Sequence, residues 1–557
     1  MVSPLSATQS EAQLEAIFSE LRKLHAARET DAHRVRTSTK SVLAKLDNLF
    51  RRGRPFSGFD KGPPSRAHRE PLLSPDSPLL LAASRSLQQF GSLCMNLHDL
   101  RSDPLPVKTR DYLLSLVPVI LDWIALLHPM NGNLQADAKT QDHSTACYTI
   151  TATLQGVYLP RLYSTDVHID YSKTPECVVR APIIVTYLAN LWINLFRYVK
   201  DPKPVCVSLI VKLLFGMACR GLPSQSSMPR IPPREPFGYV VRQELKSKPR
   251  RLCRLIARYS AKLQGRDHNE NAASDIFQFG VGLTLYCGLV PDICPRDAIR
   301  ELVKTMGDNS KKGHWTATRM GFMYLMVIWR VTADHRAIEW SIDDGIFDVY
   351  VYGLRNRPPT PDYVDALDLV GPAIRNAFVY WRVFHAFERR HGAAMGDLRR
   401  LADQYPDLDM MIIAYDSRIP ILRIARREWK LRLKQRCSYS LASSLAPQMQ
   451  ACRCRAAFYC SIDCQRAHWR QEHRKDCIYG DDGQTTPRDL HFIRLLSWAH
   501  FTVNKALIFA NINALDPQRQ HNIRIYVDLL VSRRQPFRKE RLLSNAAVWQ
   551  LGQFLIT

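Results

Sequence analysis

Between Ser10 and Phe50, apolar residues recur at helical spacing, first Leu14, Ile17, Leu21 and Leu24, then Val35, Val42, Leu46 and Leu49. The pattern predicts an N-terminal amphipathic helix over 1–50, or a broken pair of helices, docked or serving as an arm. Residues 51–79 carry the Pro, Gly and Ser density of a linker in RRGRP, GPPSR and SPDSP. From 80 to 430, apolar segments of 12 to 20 residues alternate with short polar or Pro-containing breaks. Leu79–Leu97, Thr109–Leu127, Ala181–Val199, Val205–Arg220, Ala272–Leu289, Gly321–Val331 and Ala373–Arg390 are such segments. Few show two-residue alternation, so this region is expected to be a mainly α domain. It is either a solenoid-like stack of helix pairs or an irregular bundle, because no fixed repeat period is visible. Residues 222–238 and 357–362 read as exposed loops. Ile419–Gln435 reads as a basic amphipathic helix, Leu490–Ile512 as a helix, and Ile523–Val531 as a strand or short helix, within a mostly helical extension over 478–557.

A chain of 557 residues exceeds what one hydrophobic core normally supports, and 46% hydrophobic with 23% charged residues is the composition of a folded protein. The 77 Lys and Arg against 52 Asp and Glu give a formal charge of +25. That charge favours acidic partners such as nucleic acid, although the positive residues are spread out. Short clusters occur at Arg51, Arg52 and Arg54, at Lys246–Arg254 and at Arg533–Arg541. The first residues lack the pattern of a secretory signal, and the greasiest stretches are interrupted by Asp122 and Lys212. An intracellular protein of nucleus or cytoplasm, with no membrane partner, is expected. In a reducing compartment Cys94, Cys147, Cys177, Cys206, Cys219, Cys253, Cys287 and Cys294 are expected to be buried thiols.

The other cysteines stand apart. Six of 14 lie within 437–477, and eight occupy the remaining 516 residues, an enrichment of about ninefold. The order is Cys437, Cys452, Cys454, Cys460, Cys464, His468, His473 and Cys477, with donors at the three- to four-residue steps that let side chains converge on one metal ion. Zinc is the natural choice, since it takes sulfur and nitrogen in a tetrahedral shell without redox chemistry. Other constellations carry less. His385, Glu388 and His391 lack the spacing of a zinc-protease helix and read as a solvated helix face, and Gly280-x-Gly282 has no preceding strand.

The stretch CRCRAAFYCSIDCQRAHWRQEHRKDC resembles the second half of a MYND-type zinc finger. The matching pieces are Tyr459-Cys460-Ser461, Cys464-Gln465, His468-Trp469, His473 and Cys477. The resemblance implies two interleaved zinc sites. The first would use Cys437, Cys460 and Cys464; the second would use Cys452, Cys454, His473 and Cys477. Two positions depart from the family pattern. Ser440 stands where the first pair should end in cysteine, leaving the fourth position of the first site to water, to Ser440 or to nothing. Ala451 stands where a cysteine should open the second pair, so that Cys452 and Cys454 form a C-x-C. One or two Zn²⁺ ions are therefore expected. His468 could also complete the first shell, although in the family this position usually precedes the tryptophan without binding metal.

MYND fingers capture short proline-containing peptides, which implies protein partners here, with Gln465 and Trp469 on one helix face beside the peptide. Trp469 packing the module against the helical region is the alternative. Family members that are methyltransferases carry cofactor-binding motifs that this chain lacks, and no other catalytic signature is present, so no enzymatic activity is expected. The reading that follows is a zinc-binding adaptor acting in transcriptional regulation. The alternative is a basic, nucleic-acid-associated protein whose zinc module is purely structural.

Overall fold

The computed structural model describes residues 5–27, 32–64, 73–99, 105–136, 142–157, 181–218, 235–246, 248–263, 270–286, 288–291, 293–332, 335–356, 361–432, 437–439, 449–452, 457–477, 485–513, 525–526 and 555–556. The protein is mainly α-helical. Among the described residues, strands occur as two short antiparallel pairs: Gln450–Ala451 (β1) with Phe458–Tyr459 (β2), and Ile525–Tyr526 with Leu555–Ile556. The expected loops at 222–238 and 357–362 lie largely outside the described residues, as do Arg533–Arg541, Cys177, Cys219 and Cys287. No described helix is long and apolar enough to cross a membrane.

The helices form two compact units whose segments interleave along the chain. One is Met1–Pro249 with Asn271–Leu289; the other is Arg250–Glu270 with Val290–Thr557. The division falls inside the 80–430 region.

In the first unit, helices Ala7–Ala27 and Ala32–Arg52 pack on each other, and on Pro78–Asp99 and Val107–Leu127 respectively. Leu14, Ile17, Leu21, Val42, Leu46 and Leu49, the periodic positions, are buried. Within 51–79, Phe56 and Phe59 are buried too, and the Phe56 ring lies against Phe90 and Tyr112. Helix Pro78–Asp99 crosses Ser144–Val157 closely. A β-carbon on Gly91 would sit 2.5 Å from the carbonyl oxygen of Ala152, and one on Gly156 2.9 Å from Gly91 Cα. Only glycine lets these two backbones meet.

Helix Val107–Leu127 ends at His128, whose ring holds the turn that follows. His128 Nδ1 accepts from the Met130 N–H at 3.2 Å, which leaves the proton on Nε2, 2.9 Å from the carbonyl oxygen of Tyr187. Burial pushes the pKa of this imidazole down to about 4. An unfolded chain takes that proton near the ordinary histidine value, so between the two the unfolded state binds more protons. The stability His128 contributes is complete above about pH 6.5 and lost as pH falls toward 4. Urea midpoints should therefore drop between pH 7 and pH 5, and His128→Gln should flatten that dependence. An identical slope in the variant would refute the assignment.

The second unit packs helices near in sequence: Arg296–Lys311 on Trp315–Val331 and on Arg336–Asp344, and Arg336–Asp344 on Trp381–His391. The apolar run Ala373–Arg390 forms two helices, Pro361–Ala377 and Trp381–His391, separated by turns at Phe378–Tyr380. Phe378 is fully buried there, its ring 5.1 Å from Phe384 and 4.7 Å from Phe387. The chain breaks to insert that ring, without glycine or proline. His385, Glu388 and His391 are not a solvated face. His391 is buried beside Phe347 of helix Ile346–Arg355 and beside Phe387, and Glu388 pairs with Arg426 of helix Pro406–Arg432 at 2.8 Å.

That helix, Pro406–Arg432, leads into the cysteine-rich module, and Pro487–Asn513 leaves it. The two helices pack together, so both ends of the module are held on one platform. Asp489, almost wholly buried, accepts from the backbone N–H and Nε of Arg382, both at 3.3 Å, and caps its own helix through Thr486. The Arg488 guanidinium lies 4.0 Å over the Trp381 ring. His491 meets Glu428 at 3.1 Å.

Candidate metal centre

A module of about 40 residues buries too little apolar surface to fold on that alone. Its own small core consists of Cys437, Cys452, Ala457 and Tyr459. Two of these four are ligand candidates, so metal chemistry and packing share the same atoms.

The backbone frame is a tight hairpin. β1 and β2 pair with Gln450 opposite Tyr459 and Ala451 opposite Phe458. The Cys452 N–H bonds to the Ala457 carbonyl at 2.9 Å. Ser438 ties the first segment to this hairpin twice, its N–H donating to Phe458 O at 2.8 Å and its Oγ accepting from Phe458 N at 2.9 Å. Ser461 then caps the helix Ile462–His468, its Oγ accepting from the Cys464 N–H at 3.2 Å. The same cap presents Cys460 and Cys464 together.

Two groups of ligand atoms result, each with all members within 4.8 Å of one another: Cys437, Cys460 and Cys464, and separately Cys452, His473 and Cys477. Sulfurs bound to one tetrahedral ion at 2.3 Å stand about 3.8 Å apart. Cys452 and Cys477 are 3.8 Å apart, Cys460 and Cys464 3.4 Å, and His473 Nε2 lies 3.2 Å from Cys452 Sγ. Donor type and spacing both fit a thiophilic ion such as zinc. The structure brings six of the seven residues that the resemblance names together in these two groups. Cys454 and Ser440 lie outside the described residues.

After His468 the helix continues as a π-helical turn, Trp469–His473, and closes with Arg474–Asp476. Such a turn accommodates an extra residue. Across it His473 is buried toward the second group while Trp469 is 40% exposed. Gln465, one turn earlier, is half-buried.

A family model for the MYND finger matches residues 436–477. The chain carries a MYND finger. This finger is a zinc-binding module of the protein-interaction class, set near the C-terminal end of a long helical chain. No curated protein and no solved structure matches the chain.

The sequence named Tyr459 and His468 as matches to the finger without saying what they touch, and it did not single out Trp429. Tyr459 is completely buried, and its hydroxyl meets His468 Nδ1 at 3.0 Å. His468 belongs to neither ligand group; it stacks on His473 with ring centroids 5.2 Å apart. Trp429, near the end of helix Pro406–Arg432, is buried with its ring 6.0 Å from Phe458. This contact anchors the hairpin to the helical platform. A tryptophan between basic residues in an amphipathic helix was the available signal, but periodicity does not say what a ring packs against.

Proposed function

We propose that the protein is a non-catalytic intracellular adaptor in which Zn²⁺ ions at the two thiolate clusters hold a finger that docks short proline-containing peptides. The observation that carries the reading is Trp469: a large aromatic surface, 40% exposed, on the finger helix one turn from Gln465. Its ring meets His473 of the second cluster, 5.9 Å away at 71°, so that cluster braces the indole from behind. Extended proline-rich segments give up little conformational entropy on docking to such a ring, and a glutamine amide can bond the peptide carbonyls. The anchoring of the hairpin by Trp429 leaves Trp469 free of that structural duty. Thiolate-rich coordination also suits a structural ion better than a hydrolytic one. A role in transcriptional regulation accords with this reading.

Trp469→Ala should leave folding intact and weaken proline-containing peptides by roughly tenfold or more, as loss of an aromatic anchor does. A peptide array probed with both proteins checks this. Equal binding by both, or none by the wild type, defeats the reading.

One feature favours nucleic acid as a second partner. On helix Pro249–Lys262, Arg250, Arg254, Arg258 and Lys262 recur every fourth residue on the exposed face. Arg254 is engaged by Asp297 at 2.9 Å, which lowers the charge available there. A steep fall of DNA or RNA affinity with salt would support this reading over the adaptor.

A further inference from the structure

The finger helix carries two rows of side chains at steps of four. Gln465, Trp469 and His473 form one row; Arg466, Arg470 and Arg474, each one position further on, form the other. Residues four apart on a helix share a side, so the arginine row runs along the flank of the Trp469 indole. Arg466, Arg470 and Arg474 are all exposed, as is Lys475 beside them. Among the described residues, the carboxylate that meets this row is Asp463, 3.8 Å from Arg466, and both side chains of that pair are largely in solvent. A pair so exposed holds its arginine weakly. Glu472 lies 3.9 Å from His468 Nε2 instead. Ile462, two turns before Trp469, is exposed on the same side of the helix as the indole. The finger thus presents a strip that is apolar at Ile462 and Trp469 and bordered along its length by guanidinium groups.

An extended proline segment offers the indole apolar rings and little that distinguishes one partner from another. Charges at the rim of such a contact decide the choice of partner. A guanidinium takes a carboxylate through two parallel hydrogen bonds and repels a lysine or arginine brought to the same place. Resting on the proposal that Trp469 docks proline-containing peptides, we infer that the finger selects acidic ones, in which Asp or Glu flanks the proline segment and meets Arg470 and Arg474. The indole then supplies the anchor and the arginine row the discrimination.

A peptide array probed with the full-length protein tests this. Each proline-containing peptide would be printed in three forms, flanked by Glu, by Gln and by Lys. The Glu forms should bind at least roughly fivefold more tightly than the Lys forms, the effect of a few exposed charge pairs. The difference should fade in about 1 M salt, where the screening length is about 3 Å. In the double variant Arg470→Glu, Arg474→Glu, the order of the Glu and Lys forms should reverse. The double variant Lys304→Glu, Lys311→Glu, which makes the same change of net charge on exposed positions of helix Arg296–Lys311, should keep the wild-type order. Equal binding of the Glu and Lys forms by the wild type, or an order that survives Arg470→Glu, Arg474→Glu, overturns the inference and leaves the proline reading standing. An equal loss of the preference in both double variants overturns it too, because the preference then belongs to the overall charge of +25. Binding of no form overturns the proline reading with it.

Discussion

Cys477→Ser is expected to unfold the finger while the helices that flank it stay folded. Cys477 sits 3.8 Å from Cys452 in the buried cluster with His473, and it is the last residue that pins the finger helix to the hairpin. Structural zinc contributes on the order of 10–16 kcal/mol to modules of this kind, and a serine hydroxyl in place of the thiolate forfeits much of it. The core of Cys437, Cys452, Ala457 and Tyr459 is too small to compensate. Limited proteolysis should cut the variant between 437 and 477, where arginines and lysines are frequent, with little change in far-UV helical signal. Retained protease resistance in this segment would mean that the metal does not hold the finger.

Asp489→Ala should be the most damaging single change in the helical part of the second unit. The carboxylate is 1% exposed and accepts from the backbone and side chain of Arg382 while capping its own helix through Thr486. Its removal strands the Arg382 guanidinium, itself largely buried, and removing one member of a buried pair costs about 3–5 kcal/mol. Chemical denaturation of the full chain should show that loss in the transition that includes helices Trp381–His391 and Pro487–Asn513. A change below about 1 kcal/mol, the range of exposed pairs, would show that the pair is solvated in solution.

The sequence revealed the helices where their apolar stripes were regular. Leu14, Ile17, Leu21, Val42, Leu46 and Leu49 are buried at the positions their spacing selects. Periodicity identifies a buried face and is silent about what covers it. Phe56 and Phe59, the break at Phe378 and the burial of His391 all depend on partners distant in sequence, and none leaves a local signal. The ligand groups were legible because metal geometry is local: a strand end, a capped first turn and a short helix bring the sulfurs together over a few residues. The π-helical turn at Trp469–His473 and the Tyr459–His468 pair were not legible, since both follow from fitting the helix over the hairpin.

The central claim, that residues 437–477 are a finger held by zinc at two clusters, is tested most directly by metal content. Full-length protein saturated with zinc and measured by native mass spectrometry is expected to hold two ions. A chain that keeps its protease resistance with no zinc bound would contradict the account.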